Sequence, residues 1–96
     1  MNPTETTPDD AAVAELLADT DAPLDRPRVT LDARRLPPPE PLRKTLERVV
    51  ELDDETVLVQ FNDRVPLHLF PQLDERGYEH ATVETADPVV TAIWRA

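Results

Sequence analysis

Four of the five residues from Pro37 to Pro41 are prolines, and no other stretch limits the fold of this chain so tightly. Proline lacks a backbone N–H and fixes φ, so it can neither extend a central strand ladder nor sit inside a helix. It also pushes the residue before it away from helical backbone angles. A strand reaching this cluster must stop, and a helix leaving it must begin here with prolines in its first turn. The flanks fit. Val29-Thr30-Leu31-Asp32-Ala33 alternates apolar and polar side chains as a half-buried strand does. Beyond the cluster Leu42, Leu46, Val49 and Val50 recur at helical spacing, with Arg43, Lys44, Glu47, Arg48 and Glu51 on the wet face.

The same punctuation orders the rest. Asp53-Asp54-Glu55 breaks the helix, and Thr56 to Phe61 follows as a β-branched, nearly all-apolar run. That is the pattern of a central strand covered at least partly on both faces. Asn62-Asp63-Arg64 then turns the chain into a second helix over roughly Pro66 to Arg76. Pro66 suits its first turn, whereas Pro71 must kink it or mark a restart. Gly77, the only glycine, stands where a left-handed C-terminal cap is wanted. Tyr78 to Thr85 and Val89 to Arg95 alternate as two strands joined by a turn around Asp87-Pro88. The order β-α-β-α-β-β implies an α+β fold, a two-layer sandwich with two helices on one face of a four-stranded mixed sheet.

Residues 1–28 stand apart from the domain expected over 29–96. They hold seven acids, two arginines and four prolines with few bulky apolar side chains, so a mostly disordered acidic tail is expected. One stretch differs. Thr7-Pro8-Asp9-Asp10 reads as an N-cap, a proline at the first helical position and an acidic first turn. Val13, Leu16 and Leu17 then share one face of a short helix over 8–18. A helix of about eleven residues is marginal alone; it either frays or docks on a partner or on this domain's own sheet.

Composition excludes several classes of function. Twenty acids against ten bases give a net charge of −10, the wrong sign for a general nucleic-acid binder. Lys44 is the only lysine, and an acidic, lysine-poor surface is the composition of a halophilic protein, where strong screening makes self-repulsion cheap. No apolar run approaches the ~20 residues of a membrane span. Met1 to Thr20 lacks the basic-then-apolar order of a signal peptide, so a cytoplasmic protein is expected. Without cysteine there is no disulfide, no thiolate zinc site and no thiol nucleophile. Without serine there is no serine triad, and one glycine builds no phosphate loop. Neither enzyme activity nor a cofactor is expected.

The segment Leu31-Asp32-Ala33-Arg34-Arg35-Leu36-Pro37-Pro38-Pro39-Glu40-Pro41-Leu42 resembles the signature of the TusA/SirA-like sulfur-carrier superfamily. There, a strand ending in Leu-Asp-x-Arg-Gly-Leu runs into Cys-Pro-x-Pro-Leu. Asp63, Phe70-Pro71 and Gly77 resemble that family's Asp, apolar-Pro and Gly positions around its second helix, so the resemblance covers about residues 29–95. It implies the same β-α-β-α-β-β succession. Two positions depart: Arg35 replaces the glycine, and Pro38 replaces the reactive cysteine. Together with Pro-Gln-Leu-Asp-Glu-Arg-Gly at 71–77, they resemble a cysteine-less branch with no established activity. That branch is common in haloarchaea and denitrifying bacteria, sometimes beside hemerythrin-like domains. Persulfide transfer is excluded on chemistry alone. The nucleophile is missing, four prolines delete donors at the helix start, and Glu40 puts a carboxylate where an anion would sit.

Arg34, Arg35, Arg43, Lys44 and Arg48 place half of the basic residues within fifteen positions. Arg43 with Glu47, and Arg48 with Glu51, fit ion pairs on a helix surface. Arg34 ends a strand with no obvious local partner. The expected partner-binding surface is therefore Arg34, Arg35, Pro38, Pro39, Glu40 and Pro41. A monomer or weak dimer would present it to a protein partner, and the resemblance adds an accessory role in respiratory or redox-protein maturation. The alternative is a small-ligand, metal or haem binder using His68, His80 and the proline rim. No local ligand spacing supports a metal site. His68, one turn from Pro71, is nonetheless placed to face a groove between the second helix and the rim. Asp32 and Asp63 both end strands, where turn formation and capping explain a carboxylate.

Overall fold

Every residue of the strand Val57–Asn62 is buried, and the elements around it are arranged to cover both its faces. The computed structural model describes residues 8–95. In chain order the elements are α1 (Asp10–Leu17), β1 (Arg28–Asp32), α2 (Glu40–Glu51), β2 (Val57–Asn62), α3 (Leu69–Glu75), β3 (Tyr78–Val83) and β4 (Val89–Arg95). The sheet order is β1-β2-β4-β3, with β1 parallel to β2 and the other two pairs antiparallel. The expected four-stranded mixed sheet and α+β class are present, with α2 and α3 on one face.

Strand alternation divides the core in two. Leu58 of β2 and Ile93 of β4 join Val49, Leu69, Leu73 and Tyr78 beneath α2 and α3. On the other face Val57, Val59, Phe61, Val90, Ala92 and Trp94 meet Val13 and Leu17 of α1. The segment read from composition as a mostly disordered tail thus supplies a helix that docks on the domain's own sheet. Val13 and Leu17 are each 1% exposed, because an uncovered sheet face with Trp94 and Phe61 needs an apolar lid. The cap differs too. Asp9, whose side chain accepts from the Ala12 N–H, is the N-cap, while the Thr7 expected there lies outside the described residues.

Two further expectations shift. The helix expected from Pro66 begins at Leu69, preceded by a turn in which the Leu69 N–H donates to the Pro66 carbonyl. Pro71 explains it: starting at Leu69 places this proline in the first turn, where its missing donor leaves no gap. On α2 the inward face is centred on Thr45 and Val49, both fully buried, while Val50 is 61% exposed. Gly77 follows α3 at φ +79 as expected of a left-handed cap. The Pro38–Pro39 and Asp87–Pro88 peptides are cis. No helix among the described residues is long and apolar enough to cross a membrane.

Candidate functional site

A groove with a cavity volume of about 410 Å³ opens at the C-terminal end of β2, on the face shared with α2 and α3. One wall is the proline rim and the start of α2, with Leu36, Pro38, Pro39, Pro41 and Leu42. The other is the β2–α3 connection from Asp63 to Leu69, and Gln60 and Asn62 form the floor.

The proline wall is shaped by the few donors left to it. The Glu40 N–H donates to the Pro37 carbonyl at 2.8 Å, and the Arg43 N–H to the Pro39 carbonyl at 3.1 Å. Pro39 takes the N-cap position without a side-chain cap. This rim exposes ring carbons where a helix start ordinarily exposes N–H groups. Opposite it, Asn62 Oδ1 accepts from the Asp63 N–H at 2.8 Å and bends the chain out of β2. Leu67 is left 68% exposed on the groove's lip, and His68 stands at the N-cap of α3.

The residues expected at a partner surface separate into three groups. Pro38, Pro39 and Pro41 line the groove. Glu40 faces Arg43, which also reaches Glu47 four residues on; that guanidinium holds the Glu40 carboxyl below its ordinary value. Among the described residues no ion pair joins Arg48 to Glu51. Arg34, by contrast, does have partners close by. Its guanidinium, only 5% exposed, pairs with Asp32 at 2.7 Å and with Asp87 at 3.4 Å. It fastens the end of β1 to the turn before β4. Arg35 is exposed beside it, and its charge adds to the effect of Arg34 in lowering the Asp32 pKa.

The two histidines do not share a site. His68 lines the groove, whereas His80 Nε2 meets Asp74 at 3.0 Å and its ring stacks on Phe70 at 4.7 Å. No group of three or more His, Asp or Glu side chains among the described residues is placed to hold a metal ion.

Residues 30–95 match the model of a family described as Uncharacterized conserved protein (DUF2249). The chain belongs to the DUF2249 family. The matched segment contains the whole groove and leaves α1 outside. No curated protein and no solved structure matches the chain.

Sequence reasoning placed the proline wall of this DUF2249 groove but missed its floor. Gln60 is fully buried, and its Nε2 donates to Thr45 Oγ1 at 2.7 Å. The Thr45 hydroxyl donates in turn to the Pro41 carbonyl at 2.7 Å. A signal was available. A glutamine inside an otherwise apolar central strand requires a buried polar partner, and Thr45 is the residue of the facing helix that can supply one.

Proposed function

We propose that this chain is a non-catalytic interaction module whose groove, between the proline rim and the β2–α3 connection, receives a segment of a protein partner. The observation that carries this reading is the groove's lining. Its walls are apolar, its lip bears the exposed Leu67, and its ionisable groups are Asp63, Arg64 and His68. Asp63 and Arg64 lie 3.4 Å apart and offset one another. A surface of this kind holds an apolar segment and offers neither a thiol nor a serine hydroxyl, since the chain has neither cysteine nor serine.

The resemblance to TusA/SirA-like carriers fits the same proposal, with Pro38 in place of the reactive cysteine. The architecture that presents a thiol to partners is then kept as a docking surface, cytoplasmic and adapted to salt, in the maturation of respiratory or redox proteins. Arg34 has a positioning part in this proposal. Paired with Asp32 and Asp87, it positions the segment leading into the rim.

Affinity capture from an extract of the native source tests the reading with two surface variants. Leu67→Glu charges the groove lip, whereas Val50→Glu charges α2 outside the groove. Partners retained by wild type and Val50→Glu but lost by Leu67→Glu support it. Equal recovery on all three baits sinks it.

A further inference from the structure

Gln60 Oε1 is the one buried side-chain polar atom without a hydrogen-bond partner among the described residues, and its residue forms the groove floor. The amide's orientation follows from proton count. Thr45 has one hydroxyl hydrogen and gives it to the Pro41 carbonyl, so only the NH₂ end of Gln60 can satisfy the threonine oxygen. The carbonyl is left over. Two residues along the same face of β2, Asn62 is 5% exposed and uses its own Oδ1 on the Asp63 N–H. Its remaining end is a donor. An acceptor and a donor therefore stand side by side on one floor, about 7 Å apart at the backbone. That is the complement of one edge of an extended segment, where N–H and C=O groups of alternate residues point to the same side.

We infer that Gln60 Oε1 accepts a main-chain N–H from an extended apolar segment of a protein partner, with Asn62 Nδ2 donating to a neighbouring carbonyl of the same segment. This rests on the interaction reading above and adds the chemistry that selects the ligand. Leu36, Leu42 and Pro38 take its side chains, and the chain's net charge of −10 disfavours an anionic one. The oxygen is closed to solvent, so the segment meets it by parting the side chains above. An unpaired amide carbonyl is costly in a core, and such departures from core rules are kept where function needs them.

The test uses two probes on the full-length ¹⁵N-labelled protein: N-acetyl-leucine N-methylamide, and N-acetyl-N-methyl-leucine methyl ester, which keeps the apolar body but has no N–H. Probes of about 13 non-hydrogen atoms bind in the millimolar range, within reach of chemical-shift titration. The amide probe is expected to move the side-chain NH₂ signals of Gln60 and Asn62 and to bind roughly tenfold more tightly than the ester. Gln60→Met should bring the amide probe to the ester's affinity while its thermal midpoint stays within a few degrees of wild type. Equal affinity of the two probes for wild type overturns the N–H recognition and leaves the groove reading standing. A Gln60→Met protein that binds the amide as tightly as wild type also overturns it. If neither probe shifts groove signals, the groove reading falls and this inference with it. Should Gln60→Met fail to fold, the probe pair on wild type still decides.

Discussion

The Arg28 guanidinium donates to both carboxylate oxygens of Asp10 at 2.8 Å, joining the start of β1 to the first turn of α1. This clasp lies beside the apolar footprint of Val13 and Leu17 on the sheet, so α1 is held by a directional contact and by burial together. Burial dominates, because Asp10 is largely exposed and such ion pairs contribute little. Leu17→Ala is expected to destabilise the protein by about 3 kcal/mol, lowering its thermal midpoint by roughly 10 °C or more. Asp10→Asn should cost far less. Scanning calorimetry of both variants separates the two contributions, and an unchanged midpoint for Leu17→Ala would mean that α1 is not part of the core.

Arg34 sets a pH dependence with a definite sign. Its guanidinium holds the Asp32 carboxyl below the usual carboxylate range, helped by the Arg34 backbone N–H and the charge of Arg35. A carboxyl depressed on folding binds its proton more readily in the unfolded chain. Its contribution is therefore complete above about pH 4 and is lost as pH falls through the lowered folded value. Asp10, Glu40 and Asp53 are shifted in the same direction. Urea unfolding should show Asp32→Asn weakened most at pH 7, with its gap to wild type closing toward pH 3. Arg34→Ala should lose about 2 kcal/mol at pH 7, the worth of its charge-assisted hydrogen bonds. A gap for Asp32→Asn that widens in acid contradicts the assigned pairing.

How much of this was legible in the sequence depended on the range of the interaction. Pro37 to Pro41 declare the end of β1 and the start of α2 because proline's limits act on its own backbone and its nearest neighbours. The run Thr56 to Phe61 declares a central strand because burial on both faces admits few residue types. The helix α1 and the face it shares were legible, but its docking on the sheet stood only as an alternative, since a helix pattern does not choose among docking partners and the acidic composition around it points to disorder. The Arg34–Asp87 contact spans 53 positions, and no local pattern encodes it. The groove wall from Asp63 to Leu69 was read as half helix because Pro66 and Pro71 both qualify as first-turn residues. The start at Leu69 satisfies Pro71, whose missing donor would leave a gap deeper in a helix begun at Pro66.

Gly77 isolates a purely conformational cost. It sits at φ +79, and a Cβ built there meets nothing within 4 Å. Gly77→Ala should therefore cost about 1 kcal/mol from backbone strain alone, and Gly77→Asn less, since asparagine tolerates this region better. Chemical denaturation of the two variants should rank them wild type, asparagine, alanine. Two variants as stable as wild type would show that the left-handed cap is not required at the end of α3.

Thr45 and Gln60 give the sharpest prediction about the core. Thr45→Val keeps shape but removes the oxygen that accepts from Gln60 Nε2, leaving the glutamine amide unpaired at both ends. That should cost about 2 kcal/mol, since an unsatisfied buried polar group retains its full desolvation penalty. Gln60→Met removes the orphaned carbonyl along with the amide donor and should fall within about 1 kcal/mol of wild type. In the double variant nothing polar is left stranded, so Thr45→Val should cost less in the presence of Gln60→Met than alone. The coupling in a double-mutant cycle is expected to be about 1 kcal/mol or more. Strictly additive losses would mean that the threonine serves only to pack α2 on the sheet.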